Sequence, residues 1–182
     1  MIQSFKKTMI RYLVREQLNK MDFSVINEKS KKIFNKLKDL KEFKKANSIF
    51  IYISLKDEVQ TFELIDYLLK EGKKVIVPKV VGNSLEVVKL KHNQKLVHGK
   101  YGILEPREND LYKGKIDVAI IPGLAFSLTG KRVGKGGGYY DQFLSKNINT
   151  YKIGICFGVQ VLEEDKIPVE KHDVPMDKVI YD

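Results

Sequence analysis

Apolar residues near the start of the chain recur at helical spacing, with polar residues between them. One series consists of Phe5, Met9, Tyr12 or Leu13, and Leu18. A second series follows Asp22 and Ser24, which are suitable N-cap residues, and consists of Ile26, Ile33, Leu37 and Leu40. Such spacing places side chains on one face of an α-helix. The pattern therefore predicts two helices at the start of the chain.

The pattern then changes to short, continuous apolar runs. The run from Ser48 to Ser54 is rich in β-branched and aromatic residues, which is typical of a strand buried on both faces. A helix is predicted between Thr61, its cap, and Gly72, with an apolar face made of Phe62, Ile65, Leu68 and Leu69. Lys73 to Val77 follows as a second strand. The three elements predict a βαβ unit with parallel strands.

Further along, strands are predicted at Leu85 to Leu90, Ile116 to Ile121 and Tyr151 to Phe157, and a helix at Tyr139 to Leu144. The segment from Lys91 to Lys115 has little periodicity, and we expect a long surface excursion there, of a length that often serves function. We expect residues 1–182 to form a single α/β domain, with a mainly parallel central sheet flanked by helices.

Composition narrows the class of protein. The chain has 182 residues and a net charge of +10, but its lysines are spread along the whole sequence, as on a solvated surface. No apolar run reaches the roughly 18 residues of a membrane span, and Met1 to Arg15 lacks the pattern of a signal peptide. The single cysteine, Cys156, lies in an apolar run, which predicts a buried thiol and a reducing cytoplasm.

The connection that follows Ile116 to Ile121 concentrates the candidate chemistry. It contains Pro122-Gly123-Leu124-Ala125-Phe126 and then Gly130-Lys131-Arg132-Val133-Gly134-Lys135-Gly136-Gly137-Gly138-Tyr139-Tyr140-Asp141. Glycines adopt positive φ and bring N–H groups close to an anion, Arg132 and Lys135 add positive charge, and Asp141 could hold a divalent cation. A glycine run also occurs in mobile turns, but its position between a strand and a helix favours phosphate binding.

This glycine-rich loop is neither a Walker A motif nor a Rossmann fingerprint, because the required spacing is absent. In open α/β sheets, ligands bind beyond the carboxyl ends of strands. We therefore expect the segments Leu55 to Gln60, Pro122 to Asp141 and Gly158 to Asp173 to converge on one cleft. His92 and His98 have no cysteines or carboxylates at metal-ligand spacing and are expected on the surface.

The loop resembles the signature of the 5-formyltetrahydrofolate cyclo-ligase family, also called methenyltetrahydrofolate synthetases. That signature is Pro-Gly-x-x-Phe-Asp followed by Gly-x-Arg-Leu-Gly-x-Gly-x-Gly-Tyr-Tyr-Asp. This chain has Ser127 in place of the usual Asp and Val133 in place of the usual Leu. The resemblance spans nearly the entire chain and includes Lys7-x-x-x-Arg11, Ser54 to Thr61, Phe157-x-x-Gln160, and Pro168-x-Glu170-x-His172-Asp173.

The resemblance implies an ATP- and Mg²⁺-dependent enzyme that cyclises 5-formyltetrahydrofolate, which can be polyglutamylated, to 5,10-methenyltetrahydrofolate with release of ADP and phosphate. It implies folate contacts at Ile53, Glu58 and Tyr139, metal contacts at Asp141 and Asp173, and catalytic roles for Lys135 and Tyr139. The implied nucleotide contacts are Lys7, Arg11, Arg132, Gly134, Lys135, Gly136, Gly137, Gly138, Tyr139 and Tyr140.

Other interpretations of these residues stay open at this point. Lys7 and Arg11 could be surface cations, and Glu58 could be a carboxylate at a helix N-terminus, where the macrodipole favours it. A non-catalytic nucleic-acid-binding protein is the rival class, with Tyr139 and Tyr140 stacking on bases. That alternative leaves the carboxylates Asp141 and Asp173 without a role.

Overall fold

The computed structural model describes residues 2–82, 84–99, 102–108 and 110–182. Its helices are α1 (Ile2–Leu18), α2 (Phe23–Asp39), α3 (Lys41–Lys45), α4 (Phe62–Lys70) and α5 (Tyr139–Lys146). Its strands are β1 (Ser48–Ile51), β2 (Lys74–Val81), β3 (Ser84–Leu90), β4 (Leu96–His98), β5 (Leu104–Pro106), β6 (Val118–Ile121), β7 (Ala125–Phe126), β8 (Arg132–Val133), β9 (Tyr151–Cys156) and β10 (Lys178–Tyr181).

The central sheet has six strands in the order β10-β9-β6-β1-β2-β3. Neighbouring strands are parallel except for β2 and β3, which form an antiparallel pair at one edge. The β1-α4-β2 unit has the parallel pairing that the sequence predicts. The expected α/β fold with a mainly parallel sheet is confirmed.

Alternate residues of the strands enter two separate apolar clusters. Ile49 and Ile51 of β1 belong to the cluster that contains side chains of α1, α2 and α4. Phe50 belongs to the other cluster, where its ring stacks on Phe143 of α5 with centroids 4.4 Å apart. Helices therefore cover both faces of the sheet, which explains why its strands are continuous apolar runs.

Helix α1 forms as predicted, but its apolar series does not face the core except at Leu18. Phe5, Met9 and Leu13 are exposed, whereas Lys7 is buried together with Val14 and Leu18. The reason is electrostatic, because the Lys7 ammonium lies between two carboxylates of another segment. The orientation of α1 therefore follows ion pairs that hydrophobic periodicity does not reveal.

The ends of β1 and β2 also differ from prediction. β1 ends at Ile51 instead of Ser54, because the Thr61 hydroxyl donates to the carbonyl of Tyr52 and accepts the N–H of Ser54. Thr61 thus begins α4 without a side-chain cap. β2 runs on to Val81, past the predicted end at Val77, and its pairing with β1 stops at Ile76.

The described part of the 91–115 excursion is more ordered than expected. Strands β4 and β5 pair as an antiparallel hairpin, and Glu105 on β5 is buried. His92 and His98 are exposed, as expected. The short strands β7, β8 and β10 are not predicted by the sequence. Among the described residues, no helix is long and apolar enough to cross a membrane.

Candidate active site

A cavity of about 630 Å³ opens beyond the carboxyl ends of β1 and β6. Segments from α1, the glycine-rich loop, the connection after β1 and the connection after β9 contribute to its walls. The cleft predicted at this edge of the sheet is therefore confirmed. Every site residue predicted from the sequence lines this cavity: Lys7, Arg11, Ile53, Glu58, Arg132, Gly134, Lys135, Gly136, Gly137, Gly138, Tyr139, Tyr140, Asp141 and Asp173.

The glycine-rich loop has the backbone conformations that its composition predicts. Gly136 and Gly138 have φ angles of 112° and 68°, and Gly138 is the N-cap of α5. At Gly137, a Cβ atom would lie 2.7 Å from the ring of Tyr139. The Arg11 Nε donates a 2.9 Å hydrogen bond to the carbonyl of Gly134, so α1 holds the loop from one side. Side chains larger than glycine would strain or block these positions.

Arg132 lies on β8 and is almost fully buried. Its Nη2 is 2.8 Å from Asp141 Oδ1, and its Nη1 donates to the carbonyl of Pro122 at 3.3 Å. Its Nε is buried and has no hydrogen-bond partner within the described part of the chain. Asp141 also accepts the N–H of Val174 at 3.2 Å. The predicted metal ligand Asp141 therefore holds the predicted phosphate-binding Arg132.

A second group of charges surrounds Lys7. Its ammonium lies 2.8 Å from Glu170 Oε2 and 2.5 Å from Asp173 Oδ2. The hydrogen bond and charge of Lys7 lower the pKa of Glu170. With His172, these two carboxylates have ligand atoms within 4.8 Å of one another. The predicted pair of metal ligands, Asp141 and Asp173, thus lies in two different ion-pair groups. Glu170 was absent from the predicted site, although it belongs to the Pro-x-Glu-x-His-Asp segment.

Glu58 and Lys135 form a third ion pair. Lys135 Nζ lies 2.7 Å from Glu58 Oε1, and Glu58 Oε2 accepts the N–H of Leu55 at 2.8 Å. Glu58 precedes the start of α4 at Phe62, so it does not lie in the first turn of that helix. The helix N-terminus interpretation of Glu58 is therefore wrong, and this carboxylate joins the glycine-rich loop to the segment after β1.

Two tyrosines follow the glycines on the cavity wall. Tyr139 and Tyr140 are half-buried. Burial raises the pKa of Tyr140 well above its usual range, and the negative charge of Glu58 raises it further. The guanidinium of Arg132 lies 5.9 Å from the centre of the Tyr140 ring. Tyr140 therefore remains a neutral hydrogen-bonding group at physiological pH.

One end of the cavity was not anticipated from the sequence. Pro78 and Val80 of β2, Leu85 of β3, and Ile103 and Glu105 of the hairpin segment line it. The runs in β2 and β3 predict strands but give no signal that their ends line a cavity. The hairpin carries still less signal, because its residues show no regular period.

Gln160 and Ser127 lie outside this cavity lining, although both belong to segments that carry the family resemblance. Gln160 is buried, and its side-chain amide donates to the carbonyls of Gly123 and Leu124 at 2.9 and 3.1 Å while its oxygen accepts the N–H of Phe157. Ser127 is buried in the β7–β8 turn, where its hydroxyl accepts the N–H of Lys131. The replacement of the usual Asp by Ser127 thus changes a residue of this turn and leaves the cavity lining unchanged.

Comparisons with known proteins show the family to which the chain belongs. Residues 3–182 match the model of the 5-formyltetrahydrofolate cyclo-ligase family. The chain is 31% identical over 194 residues to a probable 5-formyltetrahydrofolate cyclo-ligase of Schizosaccharomyces pombe, with 97% of this chain and 95% of that protein covered. The Escherichia coli (strain K12) 5-formyltetrahydrofolate cyclo-ligase is 32% identical over 144 residues, covering 74% of this chain and 78% of its own.

A solved structure gives the same result. The NMR structure of Aquifex aeolicus 5,10-methenyltetrahydrofolate synthetase has a TM-score of 0.84 and 34% sequence identity to this chain. The similarity covers 96% of this chain and 89% of the Aquifex chain. The two chains therefore share the fold over almost their whole length.

Proposed function

Because the chain belongs to the 5-formyltetrahydrofolate cyclo-ligase family, and so is a ligase of folate one-carbon metabolism, we propose that it uses Mg-ATP to form 5,10-methenyltetrahydrofolate. ADP and phosphate are the other products. The observation that carries the proposal is that a single cavity joins a cationic glycine-rich loop to an apolar pocket. Such a cavity accommodates a polyphosphate beside a largely apolar ring system.

The loop and its cations fit a nucleotide triphosphate. Lys7, Arg11, Arg132 and Lys135 supply positive charge around the N–H groups of residues 134–138. The buried Nε of Arg132 lacks a partner among the described residues, which is consistent with a donor awaiting an anion. In the proposal, these four side chains and the loop amides bind the phosphates.

The carboxylates fit Mg²⁺, which prefers oxygen ligands and retains several waters. Asp173 and Asp141 are the proposed ligands, and Glu170 adds an oxygen close to Asp173. The Lys7 ammonium now lies against Asp173 and Glu170. Lys7 and a divalent cation therefore compete for the same oxygens, and a bound metal would free Lys7 for the phosphates.

The folate contacts proposed for Ile53, Glu58 and Tyr139 lie on neighbouring parts of the wall. Ile53 offers a buried apolar surface, and Tyr139 and Tyr140 offer aromatic faces and hydroxyls. The Glu58 carboxylate can accept N–H donors of a reduced pterin, and its partner Lys135 belongs to the glycine-rich loop that is proposed to bind the phosphates. Lys135 and Tyr139 are therefore the proposed catalytic residues, at the boundary between the two substrates.

When bound, ATP supplies a phosphoryl group to the formyl oxygen, so that this oxygen leaves as phosphate when N10 closes the ring. The contribution of the chain is to align the two substrates and to neutralise negative charge. No protein nucleophile is required. Cys156 is not suited to that task, because burial raises the pKa of its thiol to about 12.

A spectroscopic assay of product tests the proposal. 5,10-Methenyltetrahydrofolate absorbs at longer wavelength than 5-formyltetrahydrofolate, so its formation can be followed directly. We expect product with Mg-ATP, none without ATP, and none with a non-hydrolysable ATP analogue. Product formation at equal rates with and without ATP, or no product under any condition, would contradict the proposal.

A further inference from the structure

Five carboxylates line the cavity, and one of them differs from the rest. Glu58, Asp141, Glu170 and Asp173 each have a lysine or arginine partner within 2.8 Å. Glu105 is 5% exposed and forms no ion pair with any residue that the structure describes. A buried carboxylate without a cation is costly unless hydrogen-bond donors surround it. Glu105 therefore needs hydrogen-bond donors, and the residues that the structure describes supply them only in part.

Within the described ranges, one backbone N–H donates to the Glu105 side chain. β2 extends five residues beyond Ile76, the last residue that pairs with β1, and Val80 lies on that extension. The N–H of Val80 donates to Glu105 Oε1 at 3.2 Å. On the other side, a Cβ atom at Gly99 would lie 2.3 Å from the carboxyl carbon of Glu105. The side chain is thus fixed between β2 and the hairpin, and its Oε2 has no described donor.

The surroundings of Glu105 indicate what kind of molecule could supply the missing donors. Its neighbours in the lining are the apolar side chains of Pro78, Val80, Leu85 and Ile103. They come from β2, β3 and the hairpin at one edge of the sheet, whereas Glu170 and Asp173 follow β9, three strands away from β2. An anion is repelled by an unpaired carboxylate. A flat, uncharged ring with N–H groups on one edge satisfies both the apolar wall and the carboxylate.

We propose that Glu105 binds the aminopyrimidine edge of the pterin, accepting hydrogen bonds from its 2-amino group and its N3–H. These two donors are adjacent, so one carboxylate can accept from both. The inference rests on the proposed folate substrate and extends it to a residue outside the predicted site. Glu58 is less suited to this edge, because its Oε1 already forms an ion pair with Lys135 and its Oε2 accepts the N–H of Leu55.

The Glu105→Gln substitution tests this assignment. Glutamine keeps the size of the side chain and an oxygen for Val80, but it places an amino group where the pterin donors would lie. Loss of charged hydrogen bonds of about 1.5–3 kcal/mol corresponds to a roughly 10- to 100-fold rise in the Kd of 5-formyltetrahydrofolate. The Kd of Mg-ATP should not change. Glu108→Gln is the matched control, since Glu108 lies in the same segment and its side chain is 67% exposed.

Comparing a reduced pterin with its 2-desamino analogue distinguishes recognition of the pterin by Glu105 from a purely structural role of this residue. The wild-type protein should bind a reduced pterin more tightly than its 2-desamino analogue, and the Glu105→Gln variant should bind the two alike. Hydrogen exchange of the Val80 amide reports whether the hairpin remains attached to β2. Unchanged pterin affinity, retained discrimination against the analogue, or equal weakening of pterin, analogue and ATP would overturn the assignment.

These binding measurements are independent of turnover. If the wild-type protein binds 5-formyltetrahydrofolate but forms no methenyl product with ATP, the proposed reaction fails and the role of Glu105 can still be measured. If the wild-type protein turns over normally and the Glu105→Gln variant retains its discrimination, only the role of Glu105 fails.

Discussion

Lys135 on the glycine-rich loop and Glu58 on the segment after β1 form an ion pair of 2.7 Å. The sequence alone assigns these residues to different ligands, Lys135 to the nucleotide and Glu58 to the folate. Their contact means that the two proposed binding regions share a boundary. The effect of a substitution at one of these residues should therefore depend on which residue is present at the other.

We expect Glu58→Gln to weaken folate binding by about tenfold and to leave ATP affinity nearly unchanged, because one charge-assisted hydrogen bond is lost. Lys135→Met should weaken ATP binding by a similar factor. In the double variant, the fold-loss of affinity for each ligand should be smaller than the product of the fold-losses in the two single variants, since the two residues are in contact. Isothermal titration with each ligand measures these affinities in the wild-type protein, the two single variants and the double variant. Asp57→Asn is the control, and equal losses of both ligands in Glu58→Gln would remove Glu58 from the folate site.

The positive φ angle of Gly138 offers a test of the phosphate-binding loop. Gly138 and Gly72 have φ angles of 68° and 71°, and a Cβ at either position would meet no atom within 4 Å. Valine at each site should therefore lower the free energy of unfolding by a similar amount, about 1–3 kcal/mol. Only Gly138→Val should also lose ATP binding, because Gly72 lies at the end of α4. Unfolding by denaturant and ATP titration measure the two effects, and intact ATP affinity in a folded Gly138→Val variant would contradict the proposed role.

Asp141→Asn tests whether this carboxylate serves the metal in addition to Arg132. Loss of its charge leaves the buried Arg132 without its ion-pair partner, and we expect the free energy of unfolding to fall by about 2–3 kcal/mol. The Mg²⁺ concentration for half-maximal turnover should also rise. The control is Asp177→Asn, which removes the 2.9 Å ion pair with Lys152 outside the cavity lining. If the Asp141→Asn protein is destabilised but requires no more Mg²⁺ than the wild-type protein, Asp141 does not bind the metal and its role is the ion pair with Arg132.

Cys156 should resist alkylation until the protein unfolds. Burial raises the pKa of its thiol from 9.0 to about 12, so at pH 9 the folded protein contains about one thousandth of its thiol as thiolate. Since the folded state holds this proton more tightly than the unfolded state, the thiol lowers the free energy of unfolding only as the pH rises from about 9 towards 12. Reaction with a thiol reagent at pH 9, with and without guanidinium, measures this protection. Rapid reaction of the folded protein would show that the thiol is accessible.

The sequence predicts the parts of the fold that depend on regular patterns. The apolar runs of β1, β2, β6 and β9 specify the parallel sheet, and the glycines from 134 to 138 specify the loop conformation. Because parallel strands end at one edge, the same patterns bring the charged segments into one cavity. The positions of the predicted site residues after β1 and on the glycine-rich loop follow from these two regularities.

Other parts of the site depend on single contacts between residues far apart in the chain. The burial of Lys7 requires Glu170 and Asp173, which lie 163 and 166 residues away. The role of Gln160 requires two backbone carbonyls, of Gly123 and Leu124. Glu105 lies in a hairpin without hydrophobic periodicity. No local pattern encodes such contacts, so the sequence could not predict them.

The pairing of charges within the cavity has a consequence for affinity. Lys7, Arg132 and Lys135 already have carboxylate partners, so an incoming triphosphate does not meet a set of free cations. If the triphosphate binds as proposed, its contacts with these three side chains would replace existing ion pairs. The gain in free energy at each of these contacts would then be smaller than at an unpaired cation, which would favour release of the nucleotide after turnover.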